Sequence, residues 1–262
     1  MPQPTDAQRE QLRRQPSDSV VMYQSWRELL FLHWEWDAQE VQRTLPPGLT
    51  VDLFDGRCFI GVVPFKMRSV RPRFLPAVGS LSNFLELNLR TYVYDSEGRP
   101  GVWFYSLDAN QRTAVALARR LFSLPYHRAE MATTTDATGL VDYRSARTAD
   151  RNSEDRFVYR PRGDERYAEL GTLEYFLLER YLLFTNTRTG LRSGQVHHTP
   201  YPFQDVAVEQ WGEELFRLND FTLPARTPDH ALCSAGVDVS VYGLKTVGAP
   251  LSGTLRPRRL DR

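Results

Sequence analysis

From Trp26 onward the chain is a succession of short extended runs cut by turn residues, and this punctuation constrains the fold more than any other feature. Phe84–Tyr94 alternates with the period of two that a β-strand imposes. Leu85, Leu87, Leu89 and Val93 then share one face, and Phe84, Glu86, Asn88, Arg90 and Tyr92 share the other. Asp95–Gly98 reads as a turn and Gly101–Asp108 as the returning strand. Val51–Phe54 and Arg57–Arg68 flank Asp55-Gly56, which predicts a hairpin, because Asp-Gly tolerates the positive φ angles of a tight turn. Leu182–Thr187 and Gly194–His198 predict a second hairpin around Thr189-Gly190, Val206–Trp211 another strand, and Val237–Tyr242 the last one. The dense run Trp26–Trp36 suits a buried strand, although periodicity alone also allows a buried helix. Short polar strands fill the stretch from His127 to Arg160.

Helical signals are few. Asp37 followed by Glu40 predicts a capped helix to Thr44, ended by Leu45-Pro46-Pro47-Gly48. Asn110 precedes Ala114, Leu117, Ala118, Leu121 and Phe122 at the spacing of one helical face, with Pro125 as the stop. Thr172–Glu179 is a third short helix. The resulting expectation is an α+β, β-dominated chain: a curved antiparallel or barrel-like sheet with two or three short helices. Residues 1–20, polar and proline-containing, are expected as a flexible arm, 21–250 as a single domain, and 251–262 as a frayed Arg-rich tail.

Composition excludes more than it identifies. A net charge of +1 argues against a nucleic-acid binder, which needs many uncompensated cations. The first twenty residues lack an apolar core and no run of about 18 apolar residues occurs, so neither a leader nor a membrane span is expected, and a cytoplasmic protein is the default. Two cysteines, Cys58 and Cys233, make neither a disulfide framework nor a metal knuckle. Five histidines without close Cys or His pairs predict no metal site, since adjacent His197 and His198 would point to opposite faces of a strand. Glycine-rich phosphate loops, Gly-x-Ser-x-Gly and His-Glu-x-x-His are missing, and no cofactor is expected. Only Lys66 and Lys245 could supply an amine. Thirty-one aromatic rings need a large interior or a lined cavity to hide in.

Ordered blocks between residues 22 and 245 carry a resemblance. Trp26-Arg-Glu-Leu-Leu-Phe-Leu-His33-Trp34, Leu45-Pro-Pro-Gly-Leu, Phe54-Asp-Gly, Ile60-Gly-Val-Val-Pro-Phe65, Glu86-Leu-Asn88-Leu-Arg90-Thr-Tyr-Val93, Phe104-Tyr-Ser-Leu-Asp108, Leu178-Glu-Arg-Tyr-Leu and His198-Thr-Pro-Tyr-Pro resemble, in order, the landmarks of the bacterial YqjF-like family of uncharacterised proteins in the acetoacetate-decarboxylase-like superfamily. The resemblance implies a curved or barrel-like antiparallel sheet around a cavity, with Glu86 looking like the cavity glutamate of the decarboxylase. It also implies that the decarboxylase's Schiff-base lysine is missing, because the corresponding stretch Leu124-Pro125-Tyr126-His127-Arg128 contains no lysine. Acetoacetate decarboxylation through an imine at that place is therefore not expected.

Candidate residues follow from the alternation of 84–92. If its polar face is turned into a hollow, Arg90 clamps an anionic group, Glu86 serves as acid or base, and Asn88, Tyr92 and Trp103, with Trp26 and Trp34, complete the ligand surface. If it is turned to water, Glu86 and Arg90 are an ordinary surface ion pair. Lys66 is a nucleophile if buried and an edge lysine if exposed. His198, on a loop before Thr199-Pro200-Tyr201, is a further catalytic candidate. His33 reads as a hydrogen-bonded core residue, and Asp108 as a turn or capping residue. Three functions fit: a pocket protein for a small organic acid or similar metabolite; an enzyme on a keto or enol substrate by acid–base chemistry; or an interaction module with a vestigial pocket. A small-molecule ligand is the expected partner, without nucleic acid or membrane, and a homo-oligomer stays open.

Overall fold

The computed structural model describes residues 3–112, 122–150, 154–222 and 224–248. Thirteen strands join one sheet: β1 (Val20–Trp36), β2 (Leu49–Val51), β3 (Cys58–Pro72), β4 (Phe84–Asp95), β5 (Pro100–Ala109), β6 (Tyr126–Thr135), β7 (Val141–Arg147), β8 (Glu154–Arg166), β9 (Leu182–Thr187), β10 (Gly190–His197), β11 (Phe203–Gln210), β12 (His230–Tyr242) and β13 (Lys245–Thr246). Four short helices accompany them among the described residues: α1 (Asp6–Arg13), α2 (Ala38–Thr44), α3 (Leu173–Leu178) and α4 (Glu214–Arg217). The β-dominated curved sheet expected from the sequence is the fold. Most pairings are antiparallel, and β5 is parallel to both β6 and β9.

The sheet runs β13-β10-β9-β5-β6-β7-β8-β11-β12-β1-β3-β4-β2, with β4–β5 and β10–β12 also paired. Those two extra pairings close two rings. One passes through β5, β6, β7, β8, β11, β12, β1, β3 and β4; the other through β10, β9, β5, β4, β3, β1 and β12. The rings share β12, β1, β3, β4 and β5, so β1, β3 and β4 carry one apolar cluster on each face. Leu30, Leu32, Ile60, Val62, Leu85, Leu87 and Leu89 belong to one, and Phe31, Val63, Phe65, Met67 and Phe84 to the other.

Long strands keep both interiors filled by changing parity. On β1, Met22 and Trp26 face the same interior as Leu29 and Phe31, because Glu28, at φ 50°, absorbs one residue as a bulge. The register of β1 against β3 shifts over the same stretch, between Arg27 and Leu32. On β5 the register slips beside Tyr105, so Phe104 and Leu107 face one interior and Tyr105 the other.

Several local expectations hold. Asp37 caps α2, its carboxylate accepting from Glu40 N at 2.7 Å; Thr172 caps α3; and β9 and β10 form the expected hairpin. Others are corrected. Asp55-Gly56 makes a tight turn (φ 48° and 77°), but it joins only the single bridge Phe54–Arg57. β2 pairs with the far end of β4 instead, since the long-range ladder offers three pairs where the local one offers a single bridge. The stretch expected as a loose arm carries α1, capped by Thr5 and tied down by Arg9, whose guanidinium grips Asp52 at 2.8 and 2.9 Å. The helix expected after Asn110 falls mostly at 113–121, and the Arg-rich tail at 251–262; both lie outside the described residues.

Gly236, at φ +124° opposite Arg27, is where β12 passes closest to β1: a Cβ there would lie 2.0 Å from Trp26 O. Gly163 also has positive φ (+70°), yet a Cβ would meet nothing within 4 Å. Gly163→Ala is therefore expected to cost about 1 kcal/mol, the backbone preference alone. Gly236→Ala should cost roughly 2 kcal/mol or more because strands must separate, a contrast that denaturant unfolding of the two variants measures.

Candidate functional site

The seven-strand ring encloses a cavity of about 140 Å³. β1 contributes Met22, Gln24 and Trp26; β3 Phe65 and Met67; β4 Phe84, Glu86 and Arg90; β5 Val102, Phe104 and Leu107. Tyr126 at the start of β6, Arg180 just after α3, Tyr201, and residues of β9, β10 and β12 complete the wall. The surface is mostly apolar with a few convergent polar groups, the usual make-up of a small-molecule pocket.

Glu86 is 3% exposed. Its carboxylate accepts from Tyr126 OH at 2.8 Å and from the Asn88 amide. Burial raises its pKa to about 7, against those two hydrogen bonds and aided by the charge of Asp108. Tyr143 OH donates to the Glu86 carbonyl at 2.8 Å, locking the backbone that carries the side chain.

Two arginines share this wall. Arg90 donates through Nη2 to Tyr92 OH at 3.3 Å and to Leu177 O at 3.4 Å, and its guanidinium lies over the rings of Phe31 and Tyr92 at 5.5 and 5.6 Å. It forms no ion pair with a described residue, and its Nε has no hydrogen-bond partner among them. Arg180 donates to Asp52 at 2.6 Å and to Phe176 O at 2.6 Å, and its side chain is 4% exposed. Its Nη2 also has no partner among the described residues. Burial pulls its pKa down to about 10, with Asp52 opposing. Asp52 is wholly buried and serves both Arg9 and Arg180.

Phe84, Glu86 and Arg90, on one face of the Phe84–Tyr92 strand, line the same partly open hollow. Asn88 and Tyr92 stand behind that wall as partners of Glu86 and Arg90. Trp103 does not reach it. It packs with Leu49, Val93, Leu182 and Phe184, because the slip at Tyr105 assigns it to the other face of β5. Trp34 fills the second interior. Lys66 sits between two cavity residues of β3, so it points to the opposite side and pairs with Glu28 at 2.5 Å. β3 is an internal strand, which corrects the edge-strand reading. Lys245 pairs with Asp18, so neither lysine lines the cavity. His198 is buried among Trp26, Tyr181 and Tyr201, donates Nδ1–H to Thr199 O at 2.7 Å, and is not part of the wall; burial lowers its pKa to about 4. Asp108 is paired with Arg147 at 2.9 Å. Arg180 was missed: it follows a helix, outside any alternating strand, and only the pairing with Asp52, 128 residues away, draws attention to it. No cluster of three or more His, Cys, Asp or Glu that could hold a metal occurs among the described residues, and none of their helices is long and apolar enough to cross a membrane.

Comparison with known proteins places this geometry. The chain is 36% identical over 213 residues to the uncharacterized protein YqjF of Bacillus subtilis (strain 168), an alignment covering 81% of this chain and 87% of that one. Acetoacetate decarboxylase from Legionella pneumophila superposes with a TM-score of 0.59 at 12% identity, over 90% of this chain and 91% of the other. The enduracididine biosynthesis enzyme MppR, in its complex with pyruvate, gives 0.56 at 11% identity, over 88% and 92%. At such identities the likeness is one of fold. The DUF2071 family, described as an uncharacterized conserved protein, matches residues 23–238; with that match and its YqjF relative, the chain belongs to this family and has an acetoacetate-decarboxylase-like fold.

Proposed function

We propose that this protein binds a small organic acid in the cavity, its carboxylate held by Arg90 and Arg180 and the rest of the molecule facing Glu86, Tyr126 and the aromatic wall. The observation that carries this reading is that both arginines lining an apolar cavity keep a buried nitrogen without a hydrogen-bond partner among the described residues. Leaving a charged donor unsatisfied away from water is costly, and a carboxylate supplies the missing acceptors. Charge bookkeeping agrees. Arg9, Arg90 and Arg180 bring three positive charges against the single Asp52, while burial biases Glu86 toward its neutral form. Size agrees too. An apolar cavity of about 150 Å³ takes up benzene, so 140 Å³ suits a ligand of about six heavy atoms. MppR, of like fold, is known in complex with pyruvate.

A thermal-shift and calorimetric screen of two- to six-carbon carboxylates should give saturable binding, absent for the matching amides. Arg90→Met should weaken it roughly thirtyfold or more, the cost of stripping one side from a buried charge pair. The reading fails if no acid binds or if Arg90→Met leaves affinity unchanged.

A second reading, acid–base chemistry on a keto or enol substrate, rests on Glu86, whose pKa of about 7 is the value a proton-transfer group needs near neutrality. Its titration has a checkable signature. The folded-state pKa lies above the ordinary 4.5, so between pH 4.5 and 7 the native state holds the extra proton, and stability from this group falls as pH rises. Glu86→Gln removes that dependence: relative to wild type, the variant should be more stable at pH 8 than at pH 5 in paired melting curves, and a pH-independent difference would contradict it. Imine chemistry is not part of this reading. Borohydride with pyruvate should leave Lys66 unmodified by mass spectrometry, and an adduct there would restore it.

A further inference from the structure

Behind Arg90, four side chains lead from the cavity wall to the surface: Tyr92, His33, His230 and Glu174. His230 on β12 pairs in register with His33 on β1, His33 with Gly61 on β3, and Gly61 with Arg90 on β4. The glycine makes room: a Cβ at Gly61 would approach His33 Cδ2 to 3.1 Å, His33 Nε2 to 3.4 Å and Tyr92 OH to 3.5 Å. Into that space Tyr92, two residues beyond Arg90, brings its hydroxyl, 2.7 Å from His33 Nε2 and 3.3 Å from Arg90 Nη2. His33 Nδ1 lies 3.4 Å from His230 Nδ1, and His230 Nε2 faces Glu174 Oε1 at 4.0 Å. Tyr92 and His33 are fully buried, while the Glu174 side chain is 34% exposed.

One direction gives every link of the chain a donor and an acceptor. A guanidinium only donates, so the Tyr92 oxygen accepts from Arg90, and the hydroxyl hydrogen is free to go to His33 Nε2. His33 is neutral, since burial first, then His230 and Arg90, hold its pKa well below 6.5. With Nε2 accepting, its one proton is on Nδ1 and is donated to His230 Nδ1. That leaves the His230 proton on Nε2, toward Glu174.

We infer that Arg90, Tyr92, His33 and His230 form a one-way hydrogen-bond relay in which Tyr92 and His33 are positioning residues for the anion site and the charge on His230 governs how firmly Arg90 is held. This rests on the proposed reading of the cavity as an anion site. A second proton on His230 sets its Nδ1–H against the Nδ1–H of His33, two donors facing each other. A change of tautomer at His33 would leave the Tyr92 hydroxyl hydrogen without an acceptor among the described residues. Burial first, with Arg57, lowers the His230 pKa below its ordinary value, so this second proton arrives only in acid, while Glu174 on α3 and Asp205 on β11 partly offset the lowering; Asp205 is itself paired with Arg166, and neighbouring Asp229 with Arg226. Acid therefore loosens Arg90. Glu86 protonates in the same direction of pH and favours an anion, so the two effects oppose and only a comparison of variants separates them.

Long-range proton–nitrogen NMR of the imidazoles in the full chain at pH 7.5, with signals assigned by single histidine substitutions, should show His33 as the Nδ1–H tautomer and His230 as the Nε2–H tautomer. His33 found as Nε2–H, or doubly protonated, overturns the relay whether or not any ligand binds. With pyruvate as the probe, wild type should bind about fivefold more tightly than Tyr92→Phe at pH 7.5, and this advantage should shrink toward one at pH 5. An advantage that is absent at pH 7.5, or unchanged at pH 5, overturns the positioning role. The melting curve of Tyr92→Phe checks that it is folded at both pH values. Pyruvate and the other carboxylates failing to bind wild type defeats the anion site and with it the positioning role, leaving the NMR result to stand or fall on the hydrogen bonds alone.

Discussion

The strand at the centre of this fold has no wet side. β4 belongs to two closed rings at once, and along Phe84–Asp95 every residue but the half-buried Arg90 is buried, so a polar side chain there has little water to turn to whichever way it points. Every such group must find a protein partner, lose its charge or wait for a ligand. Glu86 does the first two: Tyr126 and Asn88 bond it, and burial lifts its pKa to about 7. Arg90 and Arg180 cannot lose their charge at neutral pH, and each keeps one buried nitrogen without an acceptor among the described residues. The electrostatic character of the cavity therefore follows from topology before it follows from any particular ligand.

The positive excess is held in place from outside the ring. Asp52 is the shared counter-ion of Arg9 and Arg180, and both guanidiniums lie over the ring of Phe176, at 5.1 and 4.1 Å. Helix α1 has no buried residue of its own, so polar contacts of this kind anchor it: Gln8 to Glu97 O at 3.2 Å, Gln195 to Leu12 O at 3.2 Å and Tyr175 OH to Glu10 at 2.5 Å. An N-terminal segment that looks detachable in sequence thus contacts the same buried carboxylate as a cavity arginine.

What could be read in advance was what repeats locally. The alternation of Phe84–Tyr92 placed Glu86 and Arg90 on one face, and the Asp37 and Thr172 caps marked two helices. What could not be read depends on contacts distant in sequence or on single-residue irregularities. Glu28 on β1 and the slip at Tyr105 on β5 each reverse the alternation midway, and Trp103, expected at the cavity for its aromatic ring alone, lies on the other face of β5. The Asp55-Gly56 turn has the right dihedrals, yet β2 joins β4 because the longer ladder wins. Arg180 gave no periodic signal, its place being set by Asp52, and ring closure through β4–β5 and β10–β12 leaves no local trace at all.

Because consecutive residues of β4 feed different chambers, the strand behaves like a two-track tape read from both sides. Sliding it by one position would put Leu85, Leu87 and Leu89 into the cavity and drive a carboxylate and a guanidinium into the dry Leu- and Phe-lined chamber, spoiling both at one stroke. A sheet with one solvated face forgives half of such an error; this one forgives none. A single-residue insertion or deletion within β4 is thereby expected to be far more damaging than a side-chain exchange at the same place.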